Sequence, residues 1–152
     1  MAAEYLANAV QNVDLNQPVI FTASIPCRRG YIYHDDESGI FYLRGITNGQ
    51  RFATYQVTFN GNIAIPEGGT VGPIALAITV GGEQRPTSRA ILTPAAVDEY
   101  GNVTSTAIVR VPKGCCFAVS VRAVSGLTDD PAGTPAPTIS VQNANLVIDR
   151  IA

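Results

Sequence analysis

The chain has 152 residues and a mass of 16.0 kDa, which suits a single domain. Only 14% of its residues are charged, against about 25% in a typical soluble domain, and the formal net charge is −2. This balance excludes the basic surface that binds nucleic acid or anionic membrane, and the shortage of charge predicts that much of the surface contacts other protein.

The N-terminal segment gives only weak signals of secondary structure. It begins with Met1, Ala2, Ala3, Glu4 and Tyr5 and carries neither a basic region nor an apolar stretch, so we expect no signal peptide. We predict an extended N-terminal arm or anchor over residues 1–16, followed by one domain over residues 17–152.

Most of the remaining sequence shows the alternation that is typical of β-strands. Three short strands are predicted at residues 19–21, 31–33 and 40–43, and a longer one at 54–65, with a bulge or bend at Gly61. The next strand, residues 74–80, has a face of large residues and a face of small ones, both of which could be covered. Its end at Gly81-Gly82 predicts a tight hairpin turn with positive φ angles.

The C-terminal half continues the β pattern. Residues 103–111 and 117–123 flank a turn at 112–114 and predict an antiparallel hairpin. The last strand runs over 139–151, and its apolar residues change parity near Asn143, which predicts a bulge there. About eight strands and no convincing helix predict an all-β sandwich, barrel or jelly roll.

The residues that could carry chemistry do not form a recognisable active site. The three cysteines, Cys27, Cys115 and Cys116, are expected to be buried or half-buried thiols, the alternatives being a vicinal disulfide or a soft-metal site. The only histidine, His34, precedes an acidic segment starting at Asp35, which predicts a hairpin turn, with a calcium site as the alternative. We expect no enzymatic activity, no cofactor and no metal.

Four segments in this order carry a resemblance to a known family: FATYQVTFNGNIAIP, IALAITVGGEQRP, NVTSTAIVRVPKGCCFAVSV and PTISVQNANLVIDRIA. Over residues 38–152 the chain resembles the trimeric jelly-roll heads of the tumour-necrosis-factor-like superfamily. That superfamily includes the complement globular heads, and the likeness is closer to bacterial versions that tip collagen-like spore-surface fibres. The stretches TPAAVDEY and VQNANLVI are similar to small virion proteins encoded near the capsid genes of tailed bacteriophages.

Two departures limit what this resemblance implies. The chain has no collagen-like Gly-X-Y segment, so a spore-fibre tip would lack its stalk. The aromatic core pattern of complement heads is also absent, so no receptor-binding residues are carried over.

The resemblance implies an antiparallel β-sandwich of jelly-roll topology that assembles as a homotrimer about a threefold axis. We place the trimer contact, or equally the core of one chain, at Tyr55, Val57, Phe59, Phe117, Val119 and Leu146. The contacts of the arm with a capsid are expected at Tyr5, Leu6, Val10, Val13 and Leu15.

The expected function is therefore that of a structural virion protein. It would be a trimeric capsid decoration protein, or head fibre, of a tailed bacteriophage, made in the host cytoplasm and bound to the major capsid protein on the capsid exterior. One alternative is a bacterial surface or spore-coat head domain. The other is an adhesion module for cell-surface glycans, for which the candidate stacking residues are Tyr31, Tyr33, Tyr42 and Tyr100.

Overall fold

The computed structural model of the protein describes residues 2–26, 30–35, 37–125 and 138–152, and these form strands, turns and one short 3-10 helix (Pro86–Ser88). In chain order the strands are β1 (Ala2–Ala7), β2 (Gln11–Val13), β3 (Ala23–Ile25), β4 (Ile32–His34), β5 (Phe41–Arg44), β6 (Phe52–Ala64), β7 (Ile74–Val80), β8 (Glu83–Gln84), β9 (Ala90–Leu92), β10 (Gly101–Pro112), β11 (Cys116–Ser125) and β12 (Ile139–Arg150).

The strands form two antiparallel sheets that pack face to face. The first sheet has the order β10-β6-β12-β1-β3, with β2 also paired to β12. The second has the order β4-β5-β11-β7-β8, with β9 also paired to β7. The expected all-β antiparallel sandwich of jelly-roll topology is confirmed.

Alternation along the strands produces the core between the sheets. On β6 the residues Tyr55, Val57 and Phe59 are fully buried, whereas Gln56 and Asn60 on the opposite face are exposed. Each sheet thus turns one set of apolar side chains inward, as a strand with period-2 patterning must.

The strand β7 is buried on both faces, which agrees with its large-residue and small-residue faces. Ile74, Leu76 and Ile78 belong to the main core. Ala75 and Ala77 are buried on the opposite face, where they form a small cluster with Val124.

The N-terminal segment, which we predicted as an extended arm or anchor over residues 1–16, contributes strands to the sandwich. β1 pairs with β12 along its whole length, from Ala2 opposite Asp149 to Ala7 opposite Ala144, and with β3 on its other side. Its alternate residues Ala3 and Tyr5 are buried in the core. Because two of its three inward residues are alanines, the strand has too little apolar contrast to be recognised from the sequence.

The predicted hairpin over residues 103–123 is also wrong. The turn itself exists, with the Cys115 amide donating to the Pro112 carbonyl at 3.0 Å and Gly114 at φ 79°. However, β10 pairs with β6 in the first sheet, whereas β11 pairs with β5 and β7 in the second. The turn therefore carries the chain from one sheet to the other.

The structure contains one of the two predicted irregularities. β12 has a register shift between Gln142 and Asn145, and Asn143 has φ 53°, so the predicted bulge is confirmed. Gly61 instead stays in regular register with Val103 of β10. A glycine is needed there because a Cβ atom would lie 2.9 Å from Cζ of Phe59.

Gly81 and Gly82 have φ 63° and φ 86° and join β7 to β8, as predicted for a primed turn.

None of the residues that the structure describes form a helix with the length and apolarity needed to span a bilayer.

Candidate functional site

One candidate site is the solvent-facing side of the first sheet, which we call the outer face. Its side chains alternate with the core residues on neighbouring strands and lie in register across the sheet. They are Ile25, Glu4, Leu6, Asn145, Val147, Asp149, Thr54, Gln56, Thr58, Asn60, Asn62, Asn102, Thr104, Thr106, Ile108 and Arg110.

Many polar groups of the outer face are already hydrogen-bonded to one another. The Asn102 side-chain amide donates to Oδ1 of Asn60 at 2.9 Å and to Oδ1 of Asn62 at 3.1 Å. The hydroxyl groups of Thr58 and Thr106 are 3.3 Å apart. Polar groups that are hydrogen-bonded within the face lose fewer hydrogen bonds when water is removed. The desolvation penalty for burying this surface is therefore smaller than its polar composition implies.

The outer face holds three charged side chains among its sixteen. Glu4 accepts a hydrogen bond from the Asn145 amide at 2.6 Å, and the Arg110 guanidinium lies 4.4 Å from the centre of the Phe52 ring. Two isoleucines on this face, Ile25 and Ile108, are 58% and 45% exposed. Scarce charge and exposed apolar side chains are typical of a surface that meets protein.

The residues that we placed at a trimer contact or in the core lie in the interior of one chain. Tyr55, Val57, Phe59, Val119 and Leu146 have no exposed surface, and Phe117 is half-buried against the same core. The outer face carries the side chains of β6 and β12 that alternate with these buried residues, each one position away along the strand. A shift of one residue changes the face of a strand, and the sequence does not say which face meets a second protein.

The five predicted capsid contacts are divided between the core and the surface. Tyr5 and Val13 are 3% exposed and belong to the core, and Leu6 and Leu15 are half-buried. Val10 is 54% exposed at the turn between β1 and β2. A contact made by all five residues is therefore incompatible with this fold, and Val10 is the member with a free side chain.

His34 has a structural role in the turn that follows β4. Its ring stacks on Phe41 with the centroids 4.3 Å apart, and its Nε2 atom lies 2.8 Å from the Ser38 carbonyl, to which it donates. Asp36 of the acidic segment lies outside the described residues. Among the residues that are described, no three potential ligands come close enough to hold a metal.

The two cysteines that the structure describes are not placed as expected. Cys115 and Cys116 are exposed, because they occupy the turn and the first position of β11 rather than the core. Cys27 lies outside the described residues, so the proposed alternatives that involve it stay untested.

Two of the four candidate tyrosines lie together. Tyr33 on β4 and Tyr42 on β5 are opposite each other, with ring centroids 6.1 Å apart and 54% and 40% of their surfaces exposed. The Tyr33 hydroxyl donates to Oδ1 of Asp35 at 2.6 Å. This hydrogen bond and the carboxylate charge raise the pKa of Tyr33 above its ordinary value.

The other two tyrosines are elsewhere. Tyr31 is half-buried beneath the guanidinium of Arg150, and Tyr100 is 38% exposed just before β10. The four therefore do not form one stacking surface.

Comparison with solved structures relates this sandwich to known proteins. The globular domain of zebrafish complement 1qA aligns with a TM-score of 0.62 and 15% identity, over 99% of this chain and 97% of the other. The Eiger TNF of S. frugiperda aligns with a TM-score of 0.65 and 12% identity, over 100% and 92%. Murine APRIL aligns with a TM-score of 0.51 and 14% identity, over 93% and 98%.

The fold is that of the complement 1q and TNF heads. No protein-family model and no curated protein matches the sequence. At these identities the likeness concerns the arrangement of the strands and carries no binding residue from one protein to another.

Proposed function

We propose that the protein is a structural head domain that acts as a homotrimer through the outer face of its first sheet. The observation that carries this proposal is the outer face itself, with few charges, internally paired polar groups and the exposed isoleucines Ile25 and Ile108. The resemblance to trimeric jelly-roll heads supports an assembly of three chains. Binding, and not catalysis, is the role that such a surface suits.

The finer proposal is that the trimer decorates the capsid exterior of a tailed bacteriophage and binds its major capsid protein. It is supported by the resemblance of residues 93–100 and 141–148 to small virion proteins. Within the N-terminal segment, Val10 is the side chain best exposed for such a contact.

The trimer is tested by measuring the solution mass with light scattering. We expect three times the 16.0 kDa of one chain. Ile108→Arg should lower the mass to that of one chain, because it places a charge in the contact. Ile91→Arg is the matched control, since Ile91 is 51% exposed on β9 of the other sheet. A monomeric wild type, or equal dissociation by both variants, would exclude the proposed interface.

The capsid role is tested separately, on particles induced from the source strain. An antibody against the purified protein should label the heads of these particles in electron micrographs, and the neighbouring genes should encode capsid and portal proteins. Neighbouring genes for a collagen-like or sporulation protein, together with unlabelled heads, would instead support a spore-coat or cell-surface head domain.

Glycan adhesion is a second candidate function, favoured by the exposed Tyr33–Tyr42 pair with a carboxylate beside it. Aromatic rings of this kind can stack on sugar rings. On a glycan array, Tyr33→Ala and Tyr42→Ala should each lose binding, whereas Tyr100→Ala should keep it. Signals that are unchanged across the three variants would end this hypothesis.

A further inference from the structure

A small cleft lies at one end of the sandwich, between the two sheets, and the residues that line it are not part of the outer face. It has a volume of about 190 Å³ and is lined by Tyr31, Ile46, Asn48, Gln50, Arg150 and Ala152. We call it the Arg150 cleft. Tyr31 precedes β4, residues 46–50 form the connection between β5 and β6, and Arg150 ends β12.

The walls of the Arg150 cleft are held by the backbone. The Tyr31 carbonyl accepts hydrogen bonds from the Arg44 amide at 2.9 Å and from the Tyr55 hydroxyl at 3.2 Å. The Ala152 carbonyl accepts one from the Thr54 amide at 3.0 Å. A cleft whose walls are fixed in this way loses little conformational entropy when a ligand binds.

The connection between β5 and β6 is tied down at both ends. Gly45 donates to the Cys115 carbonyl at 2.8 Å, and Lys113 donates to the Arg51 carbonyl at 2.9 Å. Within it, the Thr47 hydroxyl donates to the Gln50 carbonyl at 2.8 Å, which positions the Gln50 backbone at the edge of the cleft.

The guanidinium of Arg150 has unused hydrogen-bonding capacity. Its Cζ atom lies 4.3 Å from the centre of the Tyr31 ring, and its Nε donates to the Ala152 carbonyl at 3.3 Å. Its Nη1 atom is buried and has no hydrogen-bond partner in the described part of the chain. A buried cationic donor without a partner is costly, and an anionic acceptor would relieve that cost.

The chemistry of the lining defines the ligand class. A guanidinium matches the planar geometry of a carboxylate, which can accept two parallel hydrogen bonds from it. The side-chain amides of Asn48 and Gln50 can both donate to and accept from hydroxyl groups. Ile46 and the Tyr31 ring supply apolar surface.

We propose that the Arg150 cleft binds a small hydroxylated carboxylate of the sugar-acid class, with its carboxylate on Arg150 and its hydroxyl groups on Asn48 and Gln50. The cleft shares no lining residue with the outer face or with the Tyr33–Tyr42 pair. A ligand here would be recognised by charge and hydrogen bonding, with Tyr31 holding the guanidinium in place.

The experiment is an NMR titration of the nitrogen-15-labelled protein with sodium D-glucuronate. The Nε–H signal of Arg150 and the carboxamide signals of Asn48 and Gln50 should move and saturate. D-glucose should leave them in place, since it lacks the carboxylate, and acetate should bind more weakly because it lacks the hydroxyl groups. Equal affinities for glucuronate and sulfate would show that the cleft binds anions by charge alone, and this result would overturn the proposal.

Two variants and one control complete the test. Arg150→Gln should weaken glucuronate binding roughly tenfold or more, since it removes a charged hydrogen bond. Gln50→Glu should also weaken glucuronate binding, because the new side-chain carboxylate would pair with Arg150. Gln50 is exposed, so the fold should tolerate this change. Arg85→Gln removes an exposed guanidinium that follows β8 in the second sheet, and this variant should bind as the wild type does.

Unchanged affinity in Gln50→Glu or in folded Arg150→Gln would overturn the proposal, as would the absence of any shift with glucuronate in the wild type. Equal affinities for acetate and glucuronate would overturn the assignment to a hydroxylated ligand.

Discussion

At the scale of single residues, Tyr33 illustrates how one hydrogen bond couples to pH. Its hydroxyl donates to Asp35, and ionisation would both break this bond and place two negative charges together. The pKa of Tyr33 is therefore raised above 10.0. The folded state favours the neutral phenol, so the Tyr33–Asp35 hydrogen bond adds a small amount to folding stability. This contribution is fully present below the ordinary pKa of tyrosine and is lost as the pH rises through the raised pKa of Tyr33.

This shift can be measured by NMR titration of the Tyr33 ring carbon. Asp35→Asn should lower the pKa of Tyr33, because it removes the charge and weakens the acceptor. Glu37→Gln is the control, since Glu37 belongs to the same turn and does not bond to Tyr33. Equal pKa values in the wild type and in Asp35→Asn would exclude the proposed cause.

A second residue-scale prediction concerns Gly61, which is buried opposite the bulge in β12. A Cβ there would press on the Phe59 ring at 2.9 Å, and Phe59 is itself fully buried. We expect Gly61→Ala to lower the free energy of unfolding by about 1–3 kcal/mol in urea denaturation. Gly72→Ala should change it by no more than about 0.5 kcal/mol, because nothing lies near its Cβ position.

At the scale of elements, β1 decides whether the N-terminal segment is an arm or a part of the fold. The Tyr5 ring lies 4.4 Å from Phe41 and 4.9 Å from His34, centroid to centroid, and bridges the first sheet to the second. Because the core loses a large aromatic side chain, Tyr5→Ala should lower the free energy of unfolding by about 3–5 kcal/mol.

Val10→Ala is the comparison for this prediction, since Val10 is exposed in the same segment. It should change the unfolding free energy by about 0.5 kcal/mol or less in the same urea titration. If Tyr5→Ala were equally mild, the segment would be a loosely attached arm after all.

At the scale of the whole molecule, the proposed trimer would make stability depend on protein concentration. If copies meet through the outer face, folding and assembly are coupled, and the melting temperature should rise with protein concentration. Ile108→Arg should abolish this dependence, whereas Ile91→Arg should keep it. Differential scanning calorimetry over a dilution series gives the answer, and a melting temperature that is constant in the wild type would contradict the proposed trimer.

Several features of this fold could be predicted from the sequence. The strands at 52–64, 74–80 and 139–150, the turn at Gly81-Gly82 and the bulge at Asn143 all follow from local patterns. Alternation and turn chemistry act over a few residues, so they are visible in the chain itself.

The tertiary structure alone decided which residues meet across the chain. It placed β1 between β12 and β3, directed β10 and β11 into different sheets, and turned Tyr55 inward and Gln56 outward. It also brought Tyr31 against Arg150 to form a cleft. These outcomes depend on strand pairing between distant segments, which minimises exposed apolar surface for the whole molecule and leaves no local mark in the sequence.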